Sequence, residues 1–298
     1  MARQARVSAG GAAGEGGNGR EGGDGLVLAL DAGSPVVSVA VGRDGEVLAA
    51  GAVALQHSST QLLALVAEVL KAAAALPADL AGVVALAGPG SFTGLRVGLA
   101  TALGLVQGLG VRAQAIPTLA AMAAASEAPP GGLVIAAVDA LRGEWSAQAF
   151  RAGPVPEPLG EMALVPAGEL LERLAPWAAA ASPAGRPDHA ARKARTDWVA
   201  RTDPAVQADR AGVAGSVDLA GSAPPEIIAF GVSALRRGAD AAGGWARFQE
   251  APPLAPAALR LAAALPPASW RAASLAAPIY SRPPATTAPK PRPESPPP

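Results

Sequence analysis

The chain has 298 residues, with 24 Lys and Arg against 24 Asp and Glu, so its formal net charge is zero. It contains no cysteine, which excludes disulfide scaffolds, thiolate metal sites, iron–sulfur clusters and a cysteine nucleophile. The neutral balance gives no overall basic field, so contact with nucleic acid would require a local patch or a partner. Half of the residues are apolar, but 76 residues are alanine, which buries little surface.

Three segments of low sequence complexity surround or interrupt the patterned parts of the chain. Residues 1–25 contain nine glycines and no apolar run, so we expect a disordered leader. Residues 281–298 carry eight prolines and are expected to form a disordered, extended tail. Residues 178–223 show no sustained period and are interpreted as a low-complexity insertion. No run of 18 uninterrupted apolar residues occurs, so we expect no membrane-spanning helix.

Residues 26–123 are patterned at every level and are expected to form an N-terminal lobe. Short apolar runs predict three strands, over Leu26–Leu30, Val36–Val41 and Glu46–Val53. The dipeptide Asp44-Gly45 between the second and third runs indicates a hairpin.

Two helices and one further strand complete this lobe in the prediction. The first helix begins in the region of Ser58 and carries an apolar stripe at helical spacing, made of Leu62, Leu65, Val66 and Val69. Gly82–Ala87 is predicted to be a buried strand, and a glycine-rich turn leads from it into a second helix over about 94–109. The resulting order is strand, strand, strand, helix, strand, helix, an α/β arrangement.

Residues 131–280 are expected to form a second lobe that echoes the first more weakly. Leu133–Val138 predicts a strand that ends at Asp139, and Glu144–Arg151 predicts the returning strand. Later elements are predicted as a helix over Pro166–Ala175, a strand over Glu226–Phe230 and a helix over Ala255–Leu265.

The turn from Gly88 to Gly94 reads G-P-G-S-F-T-G. Backbone N–H groups in a glycine-rich turn before a helix favour anions, so a phosphate site is one interpretation. The string lacks the Lys-Ser/Thr of a P-loop and the spacing of a dinucleotide fingerprint, and Ser91 does not stand in a nucleophile elbow. The alternative is structural: glycine and proline form the turn, and Ser91 or Thr93 caps the helix.

Small residues recur at intervals of four along the second predicted helix: Gly94, Gly98 and Ala102, then Gly104 and Gly108. Glycine inside a helix costs about 0.5–1 kcal/mol relative to alanine, so the repeat requires an explanation. Small side chains allow another backbone to approach closely. The spacing leaves open whether that backbone belongs to the chain's own sheet or to a helix of another molecule.

Few side chains are available for acid–base chemistry. The two histidines, His57 and His189, are far apart, and no second histidine stands one turn from His57 to form a metal pair. Asp31 and Asp139 each end a predicted strand, at the edge where α/β sheets bind ligands. Facing each other across a cleft, they could hold a magnesium–phosphate group. Equally, each carboxylate could simply accept hydrogen bonds from its own turn.

Six strings occur in a characteristic order along the chain: L-A-L-D-A-G-S at 28–34, His57-Ser58, G-P-G-S-F-T-G-L-R-V-G at 88–98, Pro117-Thr118-Leu119-Ala120, V-D-A-L-R-G-E at 138–144 and Pro278-Ile279-Tyr280-Ser281-Arg282. Together they resemble the TsaB (YeaZ) family, the dimerisation subunits of bacterial tRNA threonylcarbamoyladenosine synthesis. The string at 88–98 is the most specific of them.

The resemblance covers only part of the chain. It is strong over 26–123 and patchy over 131–175 and 226–282. It does not extend to the leader, the insertion or the proline-rich tail.

The resemblance implies an actin-like ATPase (ASKHA) fold, in which two ribonuclease-H-like lobes of mixed sheets are flanked by helices. It also implies a cytoplasmic, non-catalytic subunit that forms a heterodimer with the related TsaD. With TsaE, such proteins transfer threonylcarbamoyl to N6 of adenosine 37 in tRNAs that read codons beginning with A.

Cofactors and partners follow from the same resemblance. ATP and a metal are expected on the partner subunits, with no intrinsic cofactor in this chain, and tRNA is reached through the complex. Pairing of two copies of this chain is left open, and no membrane association is expected. The alternative function is an independent ATPase or phosphotransferase of the same fold, suggested by Asp31 and Asp139.

The resemblance assigns roles to particular residues as well. The partner interface implied on the two helices comprises His57, Leu62, Leu65, Val66, Val69, Gly94, Leu95, Gly98 and Ala102. A vestigial nucleotide or phosphate site would comprise Asp31, Ser34, Gly88, Gly90, Ser91 and Asp139. Neither a catalytic residue nor a metal ligand is expected.

Overall fold

The structure is a computed structural model of the chain. It describes residues 6–9, 25–54, 58–166, 169–170, 173, 225–233, 235 and 246–281. The predicted insertion, the predicted tail after Ser281 and most of the helix predicted over Pro166–Ala175 lie outside these residues.

The first sheet has six strands: β1 Arg6–Ala9, β2 Leu26–Asp31, β3 Val36–Arg43, β4 Glu46–Ala54, β5 Leu80–Gly88 and β6 Arg112–Pro117. Their order across the sheet is β1-β4-β3-β2-β5-β6. Strands β2, β3 and β4 form an antiparallel meander, whereas β5 and β6 run parallel to β2. The hairpin predicted at Asp44-Gly45 is confirmed, because both residues have positive φ, 52° and 85°, as a tight primed turn requires.

The second sheet repeats this plan. Its strands are β7 Leu133–Asp139, β8 Glu144–Arg151, β9 Glu157–Pro158, β10 Ala163–Pro166, β11 Glu226–Ala229 and β12 Arg247–Glu250. The order is β10-β8-β7-β11-β12, with β9 paired to β8 as well. β7 occupies the central position that β2 has in the first sheet: its hairpin partner β8 is antiparallel to it, and the later strands β11 and β12 are parallel to it. The predicted echo between the lobes is therefore a repeat of strand order and direction.

Four α-helices complete the described fold: α1 Ser58–Ala72, α2 Phe92–Leu109, α3 Thr118–Ala124 and α4 Ala255–Ala263. Helices α1 and α2 cover one face of the first sheet through apolar residues such as Leu62, Val69 and Leu99. Shorter 3-10 turns occur at Pro77–Asp79, Pro267–Ser269 and Ala272–Ala276.

Helices α3 and α4 lie between the two sheets and join the lobes. Leu119 and Met122 of α3, together with Leu259 of α4, belong to one buried cluster that also contains residues of β2, β5, β7 and β11. The first turn of α4 is tied to the first sheet, because the buried Ser38 hydroxyl accepts a 3.1 Å hydrogen bond from the Ala255 N–H. Two mixed sheets of repeated order, with helices between and outside them, form the actin-like arrangement, so the predicted fold class is confirmed.

Several elements differ from the sequence-based prediction. Within the predicted leader, Arg6–Ala9 forms β1 and pairs antiparallel with residues 49–52 of β4, so the prediction of disorder is wrong for these four residues. The prediction also omitted β6 and α3, which cover residues 112–124. β1 and β6 are held by backbone pairing with a neighbouring strand, which short runs of small and polar residues do not reveal.

Helix α2 is unusually apolar for a helix with an exposed face. Among the residues that the structure describes, it is the one helix long and apolar enough to cross a membrane, with a mean hydropathy of 1.3 and a third of it buried. The expectation of no membrane-spanning helix depends only on uninterrupted apolar runs, and Arg96 and Gln107 interrupt the apolar residues of α2. In the structure α2 lies on the first sheet, with Leu95, Leu99 and Val106 buried.

Candidate functional site

The glycine-rich turn ends in a capped helix. The Ser91 hydroxyl accepts a hydrogen bond of 3.3 Å from the Gly94 N–H, as expected for an N-cap residue. Gly110 closes the other end of α2 in the left-handed region, with φ of 66° and its N–H bonded to the Val106 carbonyl. The capping alternative for Ser91 is therefore confirmed, whereas Thr93 has no such role.

Asp31 lies at the carboxyl end of β2 and is almost fully buried, with 1% of its surface exposed. Its Oδ1 accepts hydrogen bonds from the backbone N–H groups of Gly33, at 3.0 Å, and Ser34, at 3.2 Å. Burial raises the pKa of the Asp31 carboxyl to about 6, although hydrogen bonds from Ser34 and Gly33 act in the opposite direction. The carboxyl is thus enclosed by its own turn and does not face solvent.

The glycine-rich turn packs against the Asp31 turn through backbone contacts. The Ser91 N–H donates a 2.8 Å hydrogen bond to the Gly33 carbonyl oxygen. A β-carbon on Gly90 would lie 2.7 Å from that same oxygen, and one on Gly94 would overlap the carbonyl of Ala32. Glycine is required at both positions because two backbones meet there without room for a side chain.

A C-terminal segment crosses the same turn. We call Arg271–Ser281 the C-terminal strap. Its Ile279 N–H donates a 2.6 Å hydrogen bond to the Ala87 carbonyl at the end of β5. The Ile279 carbonyl occupies the space that a side chain on Gly88 would need. The strap therefore covers the beginning of the glycine-rich turn.

These contacts test the predicted phosphate site. Asp31, Ser34, Gly88, Gly90 and Ser91 do come together. Asp31 Oδ1 and the Ser91 N–H are hydrogen-bonded within the chain, and backbone atoms fill the space beside Gly88 and Gly90. Asp31 Oδ2 and the Ser34 hydroxyl, in contrast, are buried without a hydrogen-bond partner among the described residues. The Asp31 carboxyl is also only 1% exposed, whereas a magnesium–phosphate group is bound through accessible carboxylate oxygens. The burial of Asp31 and the backbone contacts at Gly88 and Gly90 argue against a bound phosphate in this arrangement.

Asp139 occupies the position in the second sheet that Asp31 has in the first, at the end of the central strand. It is exposed, and its Oδ1 accepts a 2.7 Å hydrogen bond from the Leu141 N–H. The adjoining turn is tight, with positive φ at Leu141, Arg142 and Gly143. Each of the two aspartates is thus held by its own turn, which was the structural alternative.

The predicted partner interface requires a correction. Its described side chains face the chain's own first sheet: exposure is 5% or less for Leu62, Leu65, Val66, Val69, Leu95 and Ala102, and Gly94 and Gly98 are buried as well. Such side chains are not available to a partner. The apolar stripe at helical spacing is the core-facing side of each helix, as amphipathic helices in globular proteins require. His57 and His189 lie outside the described residues.

The surface available to a partner is the opposite side of the same helices. On α2, five exposed residues follow one another at intervals of four: Phe92, Arg96, Ala100, Gly104 and Gly108. A β-carbon on Gly104 or Gly108 would have no atom within 4 Å. On α1, Leu63 is 55% exposed. We call these six residues the open helix face. In the sequence, this face is indicated by the second half of the glycine repeat, Gly104 and Gly108. The spacing alone does not distinguish these exposed glycines from the buried Gly94 and Gly98.

Metal ligation finds no support in the described residues, since no group of three or more His, Asp or Glu there could hold an ion. Nearby charged pairs are also few. Arg151 and Glu157 approach to 3.5 Å at the edge of the second sheet, and Arg173 and Glu169 form a pair one helical turn apart. Neither pair lies at the glycine-rich turn.

Comparison with known sequences gives two matches. Residues 51–186 match the family described as TsaD, tRNA N6-adenosine threonylcarbamoyltransferase. The tRNA threonylcarbamoyladenosine biosynthesis protein TsaB of Escherichia coli K12 is 33% identical over 119 residues, which is 40% of this chain and 52% of that relative. The chain therefore spans about half the length of the curated relative it matches.

Solved structures provide the fold comparison. A crystal structure from Pseudomonas aeruginosa, of an uncharacterized protein with similarity to peptidase YeaZ, superposes with a TM-score of 0.62 at 22% identity. That superposition covers 87% of this chain and all of the other. YeaZ from Pseudomonas aeruginosa is 27% identical, with a TM-score of 0.44 over 48% of this chain and 68% of its own. In sequence the chain is similar to TsaB (YeaZ) proteins, and it shares the fold of the solved structure that superposes over 87% of its length.

Proposed function

We propose that this chain is a non-catalytic scaffold subunit in the synthesis of threonylcarbamoyladenosine on tRNA. In this role it pairs with a TsaD-like subunit through the open helix face, and that partner transfers threonylcarbamoyl to N6 of adenosine 37. The curated relative's name supports the pathway, and the match of residues 51–186 to the TsaD family shows that the chain is similar in sequence to the partner we propose.

The observation that carries the pairing proposal is the exposed half of the glycine repeat in α2. Gly104 and Gly108 each cost helix stability, about 1 kcal/mol relative to alanine, and no contact within the described chain uses the space they leave. The buried half of the repeat, in contrast, is explained by the close approach of Ala32 to Gly94. The exposed half leaves the same kind of space at Gly104 and Gly108. We assign this space to a helix of another molecule, whose backbone can approach closely there.

The composition of α2 supports the same interpretation. Arg96 is its single charged residue, and Phe92 of α2 and Leu63 of α1 are large apolar side chains that are 44% and 55% exposed. Exposed apolar faces of this kind are typical of protein interfaces. The open helix face is therefore the surface that we assign to the partner.

The structure of the glycine-rich turn bears on which subunit binds nucleotide and metal. Asp31 is enclosed by its own turn and the strap covers the beginning of the glycine-rich turn, so neither feature presents an open site for a nucleotide. We assign nucleotide and metal to the partner subunits, TsaD and TsaE, and contact with tRNA to the assembled complex. Pairing of two copies through the same face competes with the heterodimer in this proposal.

The experiment is an equilibrium binding measurement between this chain and a TsaD-like subunit at low micromolar protein. Gly104→Leu places a large side chain on the open helix face and is expected to weaken pairing more than tenfold. Ala264→Leu is the matched control, because it adds the same side chain at the exposed end of α4, on the other face of the first sheet. Absence of any complex with the wild-type chain across a salt series would contradict the proposal.

A further inference from the structure

We propose that Arg96 is the residue that fixes the register of pairing, by binding a carboxylate that the partner helix presents beside the open helix face. The inference rests on the proposed function, because it concerns the same surface. It assigns a specific chemical group to the partner and a role to the C-terminal strap, neither of which follows from pairing alone.

Arg96 is held in place by two aromatic rings. Its guanidinium carbon lies 3.8 Å from the centroid of the Phe92 ring, one turn earlier on α2. Its Nε donates a 3.3 Å hydrogen bond to the hydroxyl of Tyr280, which belongs to the strap. The Tyr280 and Phe92 rings are 5.1 Å apart, so the three side chains form one cluster. A cation held over an aromatic ring in this way keeps its outer N–H groups available.

The strap fixes the position of Tyr280 from both sides. The preceding residue, Ile279, bonds to the Ala87 carbonyl at the end of β5. The following residue, Ser281, forms a 2.5 Å hydrogen bond with the Ser146 hydroxyl on β8 of the second sheet. Tyr280 is therefore anchored to both lobes, and it presents Arg96 in one orientation before any partner arrives.

The charge of Arg96 has no counter-ion within the described part of the chain, where the ion pairs involve other residues. It is also the single charge on α2. A face of small and apolar side chains allows a partner helix to slide by one turn at little cost, whereas one fixed cation distinguishes one register from the others. Aromatic and arginine side chains grouped in this manner are typical of the residues that dominate interface energetics.

The group that satisfies these constraints is a carboxylate on the partner. A guanidinium with free outer N–H groups binds a planar carboxylate through two parallel hydrogen bonds, and this geometry defines orientation as well as affinity. A phosphate of RNA would satisfy the same donors. The other residues of the open helix face carry no charge, however, whereas binding of a nucleic-acid backbone requires several cations.

The test uses the full chain and a TsaD-like subunit. Arg96→Gln is expected to weaken pairing about tenfold and to reduce its dependence on salt, because the attraction of the charge is lost. Tyr280→Ala is expected to weaken pairing about threefold or more, while Tyr280→Phe, which keeps the ring, has a smaller effect. The matched control is Arg43→Gln, an exposed arginine at the β3–β4 hairpin, for which the affinity should stay within about twofold.

The outcomes separate this inference from the proposed function. If the wild-type chain pairs and Arg96→Gln pairs with equal affinity and equal salt dependence, the role of Arg96 is refuted while the scaffold proposal stands. If the wild-type chain does not pair, both are refuted. If Arg96→Gln loses binding of the isolated chain to tRNA and keeps pairing intact, the anion is a phosphate and the carboxylate proposal is overturned. Circular dichroism and urea unfolding of each variant verify that the exposed substitutions leave the fold unchanged.

Discussion

The carbonyl oxygen of Ala32 lies where the β-carbon of any other residue at position 94 would have to be. This contact joins the turn that holds Asp31 to the first turn of α2. It also distinguishes the two halves of the glycine repeat. A β-carbon on Gly104, farther along α2, would have no atom within 4 Å.

The first prediction compares alanine at these two glycines. Gly94→Ala is expected to destabilise the chain by about 1–3 kcal/mol, because the added methyl overlaps a backbone that cannot retreat without moving the Asp31 turn. Gly104→Ala should stabilise the isolated chain by about 0.5–1 kcal/mol, since it raises helix propensity in open space. Urea unfolding monitored by circular dichroism measures both. Equal effects of the two substitutions would contradict the assignment of buried and open halves.

The second prediction concerns the pH dependence of stability. The pKa of Asp31 is raised from 3.8 to about 6 in the folded chain, so the folded state holds a proton more tightly than the unfolded state. This stabilising contribution is fully present below the unfolded pKa and is lost as the pH rises through the folded pKa, an effect on the order of 3 kcal/mol.

Asp31→Asn tests that dependence. The amide oxygen can still accept the Gly33 and Ser34 hydrogen bonds, but no charge is buried at neutral pH. Between pH 4 and 7.5 the variant should gain stability relative to wild type as the pH rises. Asp31→Ala, which lacks the acceptor, should be less stable than Asp31→Asn throughout. A difference between Asp31→Asn and wild type that does not change with pH would show that the carboxyl is not shifted.

The third prediction contrasts two faces of α1. Val69 is fully buried against the first sheet, so Val69→Asp should cost roughly 4 kcal/mol or more and disrupt the lobe. Leu63 is 55% exposed, so Leu63→Asp should change stability by less than about 0.5 kcal/mol and yet weaken pairing. Thermal unfolding and equilibrium binding are measured on the same preparations. Full pairing by a folded Leu63→Asp variant would exclude α1 from the interface.

The fourth prediction concerns nucleotide. The glycine-rich turn donates to the chain's own carbonyls, and the strap covers Gly88. Isothermal titration of magnesium ATP into the isolated chain is therefore expected to give no binding heat, and magnesium-dependent ATP hydrolysis should be absent. A measurable activity that is abolished by Asp31→Asn would instead support the independent ATPase.

Local chemistry in the sequence was sufficient for most of the fold. The Asp44-Gly45 turn, the Ser91 cap and the apolar stripe of α1 each depend on residues close in the chain, and each is present as predicted. The strand that ends in an aspartate was also recognised twice, at Asp31 and Asp139. These features are local, so neighbouring residue types determine them.

Long-range contacts account for what the sequence pattern missed. Tyr280 and Arg96 are 184 residues apart in the chain, and no local pattern indicates that they share a hydrogen bond. The two halves of the α2 repeat have the same composition and differ only in what packs against them. The interface residues predicted from the sequence accordingly lie on the core-facing sides of α1 and α2, and the proposed pairing surface lies on the opposite sides of these helices.

The most direct measurement of the central claim is threonylcarbamoyl transfer to tRNA in a reconstituted mixture with a TsaD-like subunit, TsaE, ATP and the threonylcarbamoyl adenylate. The account predicts that modification depends on this chain, is lost with Gly104→Leu and is retained with Ala264→Leu. Modification at the same rate without the chain, or with Gly104→Leu in its place, would contradict the claim that it acts as a scaffold through the open helix face.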